Sequence, residues 1–329
     1  MSEHRAVPKL HSIPLIPDDV VRSLVDLDQA VKTIEQAYAD YGRARRVLSD
    51  PPALLLPGRT DRQAAFKVKG ARLSSLGVAG FRMIADRMTD GGEETIDYCW
   101  VADAATGRLI GLVDETWLHR LRTALTGVVA AKWLARSQSS VVTIVGAGKI
   151  ADELPAALSR VFDLKELRVA ARRTESAEAF ARRHDSVANV RPFSSVHDAS
   201  QGADIVLCIS SASTPVLHAS DLAPGMLVCG MGGGAEIAGD TLDRTDRFII
   251  DDLEYALTIG SVRGWLDQGM SRETIENRVD ADIGDIAIGA KPGRTRDSDI
   301  VVAIIQGMAC CDVALSHLAI SRAGLVTKP

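Results

Sequence analysis

The stretch SSVVTIVGAGKIADELPAAL, Ser139 to Leu158, constrains the fold more than any other part of the chain. A run of β-branched residues describes a buried strand, Gly146-Ala147-Gly148 turns the chain, and an alanine-rich helical segment follows. The spacing matches G-x-G-x-x-G/A. Gly146 makes the tight turn, Gly148 lets a pyrophosphate approach the backbone, and Ala151 permits close packing of helix on strand. With Lys149 and Ile150 the loop opens a helix, whose first N–H groups hold phosphate oxygens. Such a turn also occurs without a ligand, so its context decides. ELRVAA, the helix SAEAFARRH, ADIVLCIS, MLVCGMG, RFIIDD and the helix EYALTIGSVRGWLDQG follow. That alternation predicts a Rossmann-type, doubly wound parallel sheet with helices on both faces.

The preceding residues have a different rhythm. DLDQAVKTIEQAYADYGRAR places Ala30, Val31, Ile34, Ala37 and Tyr38 on one helical face. ALLLPG, QAAFKVKGARL, VAGFRMIADRM, IDYCWVAD and RLIGLVDE then succeed one another as strands without helices between them, the last two joined by AATG as a hairpin turn. This part is expected to be a mixed α/β domain. TWLHRLRTALTGVVAAKWLARS is a long helix with Thr116 as its N-cap, and the final DIVVAIIQGMACCDVALSHLAISRAG is one more helix that packs back on the first domain. The expected division is 1–137 with 300–329 against 138–299.

Composition narrows the function classes. A chain of 329 residues with net charge −5 offers no bulk basic charge for nucleic acid or anionic membranes. RARR at Arg43–Arg46 and ARR at 181–183 are expected on solvated faces. The N-terminus lacks the apolar core of a signal peptide, and no apolar run reaches the ~18 residues of a membrane span. The five cysteines show no CxxC and no zinc-like spacing with histidine, so no metal site is expected. Buried free thiols point to the cytoplasm.

The end of the second Rossmann strand selects the dinucleotide. An NAD site places an acid there, whereas this chain has Ala171-Arg172-Arg173-Thr174, two guanidiniums and a hydroxyl suited to a 2′-phosphate. NADPH is expected, with NADH as the alternative. Lys67 and Lys69 share one face of a strand, with Phe66 and Val68 expected to face the core. The lysines are ordinary if their face meets solvent; if it lines a cleft, one could hold an anion or polarise a C=N or C=O group. Arg82 carries the same ambiguity. Arg122, followed by Thr123, lies one turn into an apolar helix where the dipole disfavours a cation, which suggests an anionic partner.

FKVKGA, VADAATGRLIGLVDETWLHRLRTALTG, TIVGAGKIA, STPVL, PGMLVCGMG and GAKPGR together resemble the ornithine cyclodeaminase/mu-crystallin family, over about Val31 to Ala323. The resemblance implies an N-terminal domain, completed by the C-terminal helix, that dimerises and binds substrate, with a Rossmann domain inserted. It implies Lys67 as the substrate-contacting and catalytic lysine, Arg122 as the partner of the substrate carboxylate, and Thr123 as a cofactor contact. It also places Gly146 to Ile150 at the pyrophosphate, Ser210 near the cofactor, and Met231 and Gly232 near the nicotinamide. Three departures stand out. Gly233 and Gly234 occupy the place of the cyclodeaminase aspartate, Ala53 replaces a second substrate arginine, and Ala303-Ile304-Ile305 replaces Phe-Lys-Ser. Arg82 is our expectation for the missing arginine. The implied activity is reduction of an α-imino acid or cyclic ketimine by a cytoplasmic homodimer. An oxidative amino-acid dehydrogenase of the alanine dehydrogenase type, a cyclodeaminase and a non-catalytic NADPH-linked binding protein are the alternatives.

Overall fold

The computed structural model describes residues 13–44, 47–58, 63–90 and 92–325. The N-terminal segment to residue 12, and Arg45 and Arg46 of the first basic cluster, lie outside the described residues. The first sheet has six strands: β1 (Leu15–Ile16), β2 (Leu54–Leu56), β3 (Ala65–Leu73), β4 (Val78–Thr89), β5 (Gly92–Asp103) and β6 (Leu109–Asp114). Their order is β1-β6-β5-β4-β3-β2, antiparallel except where β1 runs beside β6. The AATG hairpin forms as expected. Asp103 Oδ1 accepts the N–H groups of Ala105 and Thr106, and Gly107 takes a φ of 70°.

One face of this sheet is covered by helices, and among the described residues the other leaves Phe81 and Trp100 57 and 47 % exposed. Lys69, Ala71 and Leu73 of β3 are 3, 7 and 0 % exposed. The lysines therefore share the core face, and Phe66 and Val68 lie opposite, the reverse of the sequence expectation. The pattern misled because the core face of β3 carries cations at one end and apolar residues at the other.

The second sheet holds β7 (Val141–Val145), β8 (Glu166–Ala170), β9 (Val190–Phe193), β10 (Ile205–Cys208), β11 (Leu227–Gly230), β12 (Arg247–Ile250), β13 (Val279–Asp282) and β14 (Val301–Ile304). It is parallel throughout, in the order β13-β12-β14-β11-β10-β7-β8-β9. Strand order reverses between β7 and β10, the place where open α/β sheets bind ligands at their carboxyl edge. Val301–Ile304 is a central strand here, so the expected boundary at 300 and the expected helix over this segment are both corrected. Gly307, with φ 78°, and Met308 then lead into the terminal helix.

The helices are α1 (Asp18–Leu24), α2 (Leu27–Arg43), α3 (Leu118–Leu134), α4 (Leu154–Leu158), α5 (Thr174–His184), α6 (Val196–Ser200), α7 (Leu253–Ala256), α8 (Gly260–Asp267), α9 (Arg272–Arg278), α10 (Ile283–Ala287) and α11 (Ala309–Arg322). The expected helix after the glycine turn is shorter than its pattern. A 3-10 turn at Ala151–Glu153 leads into α4, whose Pro155 fits the first turn. The expected helix over 254–269 breaks at Gly260, where φ is 73° and a Cβ would stand 2.3 Å from Gln306 Nε2. Thr116 is not the α3 cap. Trp117 holds that position, and its N–H donates to Asp18 Oδ1 at 2.6 Å. As expected, α11 returns to the first domain and packs on α2, α3 and strands β3 to β6.

Candidate active site

Arg122 is 3 % exposed, in the second turn of α3. A buried guanidinium near a helix N-terminus needs an anion, and α11 supplies it: Arg122 Nε lies 2.6 Å from Asp312 Oδ1. Among the described residues no hydrogen bond is made by either Nη group of Arg122, so the fork keeps donors for a ligand. Asp312 is buried, which opposes its ionisation. Arg122, Arg82 and Lys69 outweigh that penalty and hold its carboxyl below the usual range.

Arg82, expected as a replacement substrate arginine, is already matched on every side. Nη2 donates to Asp97 at 2.9 Å, Nε lies 3.0 Å from Glu115 Oε2, and Nη1 is 3.7 Å from Asp312. With 1 % exposure it braces the carboxylates around Arg122 and has no edge for substrate. Glu115 also accepts the Ser316 hydroxyl at 2.7 Å, and burial pushes its carboxyl up to about 8. His119, one turn before Arg122, sets Nδ1 3.0 Å from Asp97 Oδ2.

Lys69 pairs with Arg82 across β3 and β4. Its ammonium donates to the Gly307 carbonyl at 2.6 Å and lies 4.4 Å from the Tyr255 ring centroid. Burial pushes it down to about 8, with Asp312 opposing and Arg122 and Arg82 adding to the fall. Gly307 N–H donates to Asp251 Oδ2 at 2.6 Å, and burial raises the Asp251 carboxyl to about 6. A Cβ on Gly307 would stand 2.0 Å from Arg122 Nη1. The strand-to-helix turn before α11 is thus built around the Arg122 guanidinium. Lys67 lies two residues from Lys69 on the same face and is half-buried, outside the sealed cluster.

The glycine loop lies at the strand-order reversal. Gly146 has φ 119°, and a Cβ there would press within 2.6 Å of the Ile209 carbonyl. Above Gly148 a Cβ would meet nothing within 4 Å, so that face is open to a phosphate, while Ala151 is fully buried in the helix–sheet contact. Ala147 and Ile150 are half-buried and Lys149 is exposed. Thr123 is buried, with its hydroxyl donating to the His119 carbonyl at 2.8 Å. Arg172, Arg173 and Thr174 stand exposed beyond β8, the edge where an adenosine ribose would lie. These features fit a dinucleotide.

Ser210 and Gly232 each lie two residues past the neighbouring strands β10 and β11, and both donate their N–H to Glu236, at 2.8 Å from Gly232. Glu236 is fully buried, and its carboxyl is pushed up to about 7. Met231 is 4 % exposed, and its sulfur fills the space where a Cβ on Gly127 would fall. Its side chain packs on α3 in the core.

The sequence reading missed Asp97, Glu115, His119, Glu236, Asp251 and Asp312. Asp312 carried one signal, an acid inside the apolar run MACCDVAL, and Glu236 another, an acid closing a glycine run. Apart from Gly232 beside Glu236 and Asp252 beside Asp251, their partners are distant in sequence and carry no local signature.

Residues 17–323 match the model of the ornithine cyclodeaminase/mu-crystallin family. A Sinorhizobium fredii protein described as an uncharacterized cyclodeaminase is 30 % identical, the match covering 95 % of this chain and 96 % of that one. A Δ1-pyrroline-2-carboxylate reductase from Bacillus cereus is 23 % identical over 92 % of this chain and 94 % of its own. Among solved structures, an archaeal alanine dehydrogenase dimer with bound NAD superposes with a TM-score of 0.84. Its identity is 26 %, with 94 % of this chain and 96 % of that one covered. The chain belongs to the ornithine cyclodeaminase/mu-crystallin family.

Proposed function

We propose that the protein is an NAD(P)H-dependent reductase of a C=N bond adjacent to a carboxylate, converting an α-imino acid or cyclic ketimine to an amino acid. The observation that carries this is the Arg122 fork. It is buried, paired at Nε with Asp312, and presented from α3, the helix that also carries Thr123. A planar, charged edge held in this way recognises a carboxylate in two-point fashion and orients the adjacent C=N carbon. The bound cofactor supplies the hydride. Gly146 to Ile150 would hold its pyrophosphate, Thr123 and Ser210 would contact it, and the backbone at Met231 and Gly232 would border the nicotinamide. Lys67, at the rim of the cluster, contacts the carboxylate or imine nitrogen as the catalytic lysine.

Reduction is favoured over cyclodeamination because Gly233 and Gly234 leave no acid at the place needed to act on a substrate amine. Glu236 does not replace it, since both its oxygens receive backbone N–H groups. Alanine dehydrogenase in the family makes the oxidative direction the second reading, using the same carboxylate clamp. Arg172 and Arg173 support NADPH over NADH.

A homodimer is supported by the face of the first sheet that no described helix covers. In register across it run Leu15, Leu112, Trp100 and Phe81, of which Leu15, Trp100 and Phe81 are 51, 47 and 57 % exposed. A second copy covers this face in our reading. The five cysteines are free and buried, which suits a reducing cytoplasm. No helix among the described residues is long and apolar enough to cross a membrane.

The test is loss of NADPH absorbance with cyclic ketimines, and with α-keto acids plus ammonia, beside direct binding of NADPH and NADH. Turnover on a ketimine supports the reading. Tight cofactor binding without turnover across the panel would favour the binding protein.

A further inference from the structure

This inference rests on the imine-reductase reading and asks which side chain holds the proton of the substrate nitrogen. The buried acids near Arg122 are committed: Asp312 to two arginines, Glu115 to Arg82 and Ser316, and Asp251 to the Gly307 and Asp252 N–H groups. The Lys69 ammonium is directed to the Gly307 carbonyl. His119 differs from these groups. Its side chain is 27 % exposed, against 2 % for Asp97, 3 % for Arg122 and 0 % for Asp312. It precedes Arg122 and Thr123 by three and four residues, so the three side chains share one face of α3.

Asp97 Oδ2 lies 3.0 Å from His119 Nδ1, and the same carboxylate is anchored by Arg82. A carboxylate at that nitrogen keeps the proton on Nδ1 and leaves a lone pair on Nε2, the ring nitrogen on the other side. We propose that His119 is a catalytic residue: its neutral Nε2 accepts the N–H of the protonated imine whose carboxylate is held by Arg122, with Asp97 as the positioning residue.

The electron count closes. In the reductive direction the hydride from bound NAD(P)H forms the new C–H bond at the imine carbon. The C=N π pair becomes the nitrogen lone pair, the N–H is retained, and NAD(P)⁺ is left. In the oxidative direction Nε2 first takes a proton from the substrate ammonium, freeing the lone pair that becomes the C=N bond as hydride leaves. Arg82 on β4, Arg122 on α3, Asp312 on α11 and Lys69 on β3 act on the imidazole from a distance, and Asp97 on β5 lies against its Nδ1. Burial, followed by Arg82 and Arg122, lowers its pKa well below the ordinary histidine value, against the pull of Asp312. The ring is therefore neutral at neutral pH and ready to accept a hydrogen bond.

The experiment compares two planar acids that differ at one atom, pyrrole-2-carboxylate with a ring N–H and furan-2-carboxylate with a ring oxygen. Their binding to the full-length protein saturated with NADP⁺ is measured by calorimetry. Wild type should prefer the pyrrole by about tenfold, and His119→Phe should bring the ratio near one while furan-2-carboxylate still binds. Equal affinities in wild type would overturn the assignment and leave the Arg122 site standing. Failure of both acids to bind wild type would remove the carboxylate site itself, and the assignment with it. Imidazole ¹⁵N spectra of the wild-type protein serve if His119→Phe does not fold. His119 should be a neutral Nδ1–H tautomer at about pH 6, where free imidazole is largely protonated, and its Nε2 signal should move only with the pyrrole acid. A cationic ring, or the Nε2–H tautomer, would refute the proposal.

Discussion

Asp312→Asn removes one charge and almost no volume from the centre of the buried cluster. Asp312 is 1 % exposed, 2.6 Å from Arg122 Nε and 3.7 Å from Arg82 Nη1, so the variant leaves two buried guanidiniums short of an anion. Removing one partner of a buried ion pair costs about 3–5 kcal/mol, a large share of the roughly 5–15 kcal/mol that holds a protein folded. An unfolding entropy of about 2 cal/mol/K per residue gives this length about 0.7 kcal/mol/K, so the melting temperature should fall by roughly 4–7 °C. The pH dependence has a definite sign. A carboxyl whose folded pKa is depressed contributes stability above its ordinary pKa and loses it as pH falls through the folded value. The gap between wild type and variant should be widest near pH 7 and close in acid, below about pH 4. Urea unfolding across that range measures it. A gap under about 1 kcal/mol at pH 7 would contradict the cost assigned to the unmatched guanidiniums. A gap unchanged in acid would show that its source is packing.

Three further outcomes are expected. Gly307→Ala forces a Cβ into a residue at φ 78° and to 2.0 Å from Arg122 Nη1. It should cost about 1–2 kcal/mol of stability and raise KM for the carboxylate substrate, with the NADPH Kd unchanged. Lys69→Met tests the lysine lowered to about 8. A base depressed on folding destabilises below its folded pKa, so wild type should gain on the order of 3 kcal/mol relative to the variant as pH rises from about 8 to 10.5. Chemical unfolding at several pH values measures that slope. Replacing Arg172 and Arg173 together by alanine should weaken NADPH by about tenfold or more and leave NADH nearly unchanged, read by cofactor fluorescence.

What was legible in the sequence was whatever local pattern controls. The strand, Gly146 turn and alternating elements gave the parallel sheet, because each depends on residues within a few positions. Arg122 was visible as a cation where a helix dipole opposes one. Its partner was not, since Asp312 lies far along the chain and meets it only once α11 has returned to the first domain. The β3 faces were reversed because period two shows which residues share a side and not which side is covered. Val301–Ile304 reads as helix in the sequence because a short apolar run suits either state, and its place between β11 and β12 is decided by pairing. Arg82 reads as available for substrate in the sequence because nothing local shows that Asp97, Glu115 and Asp312 surround it.

In the proposed reaction Arg122 selects an imine by its neighbouring carboxylate. The most direct measurement is the rate of NADPH oxidation with Δ1-pyrroline-2-carboxylate beside Δ1-pyrroline, the same ring without the acid. Turnover of the carboxylate alone is expected, with Arg122→Ala losing most of kcat/KM. Equal rates on the two rings, or a carboxylate rate untouched by Arg122→Ala, would contradict it.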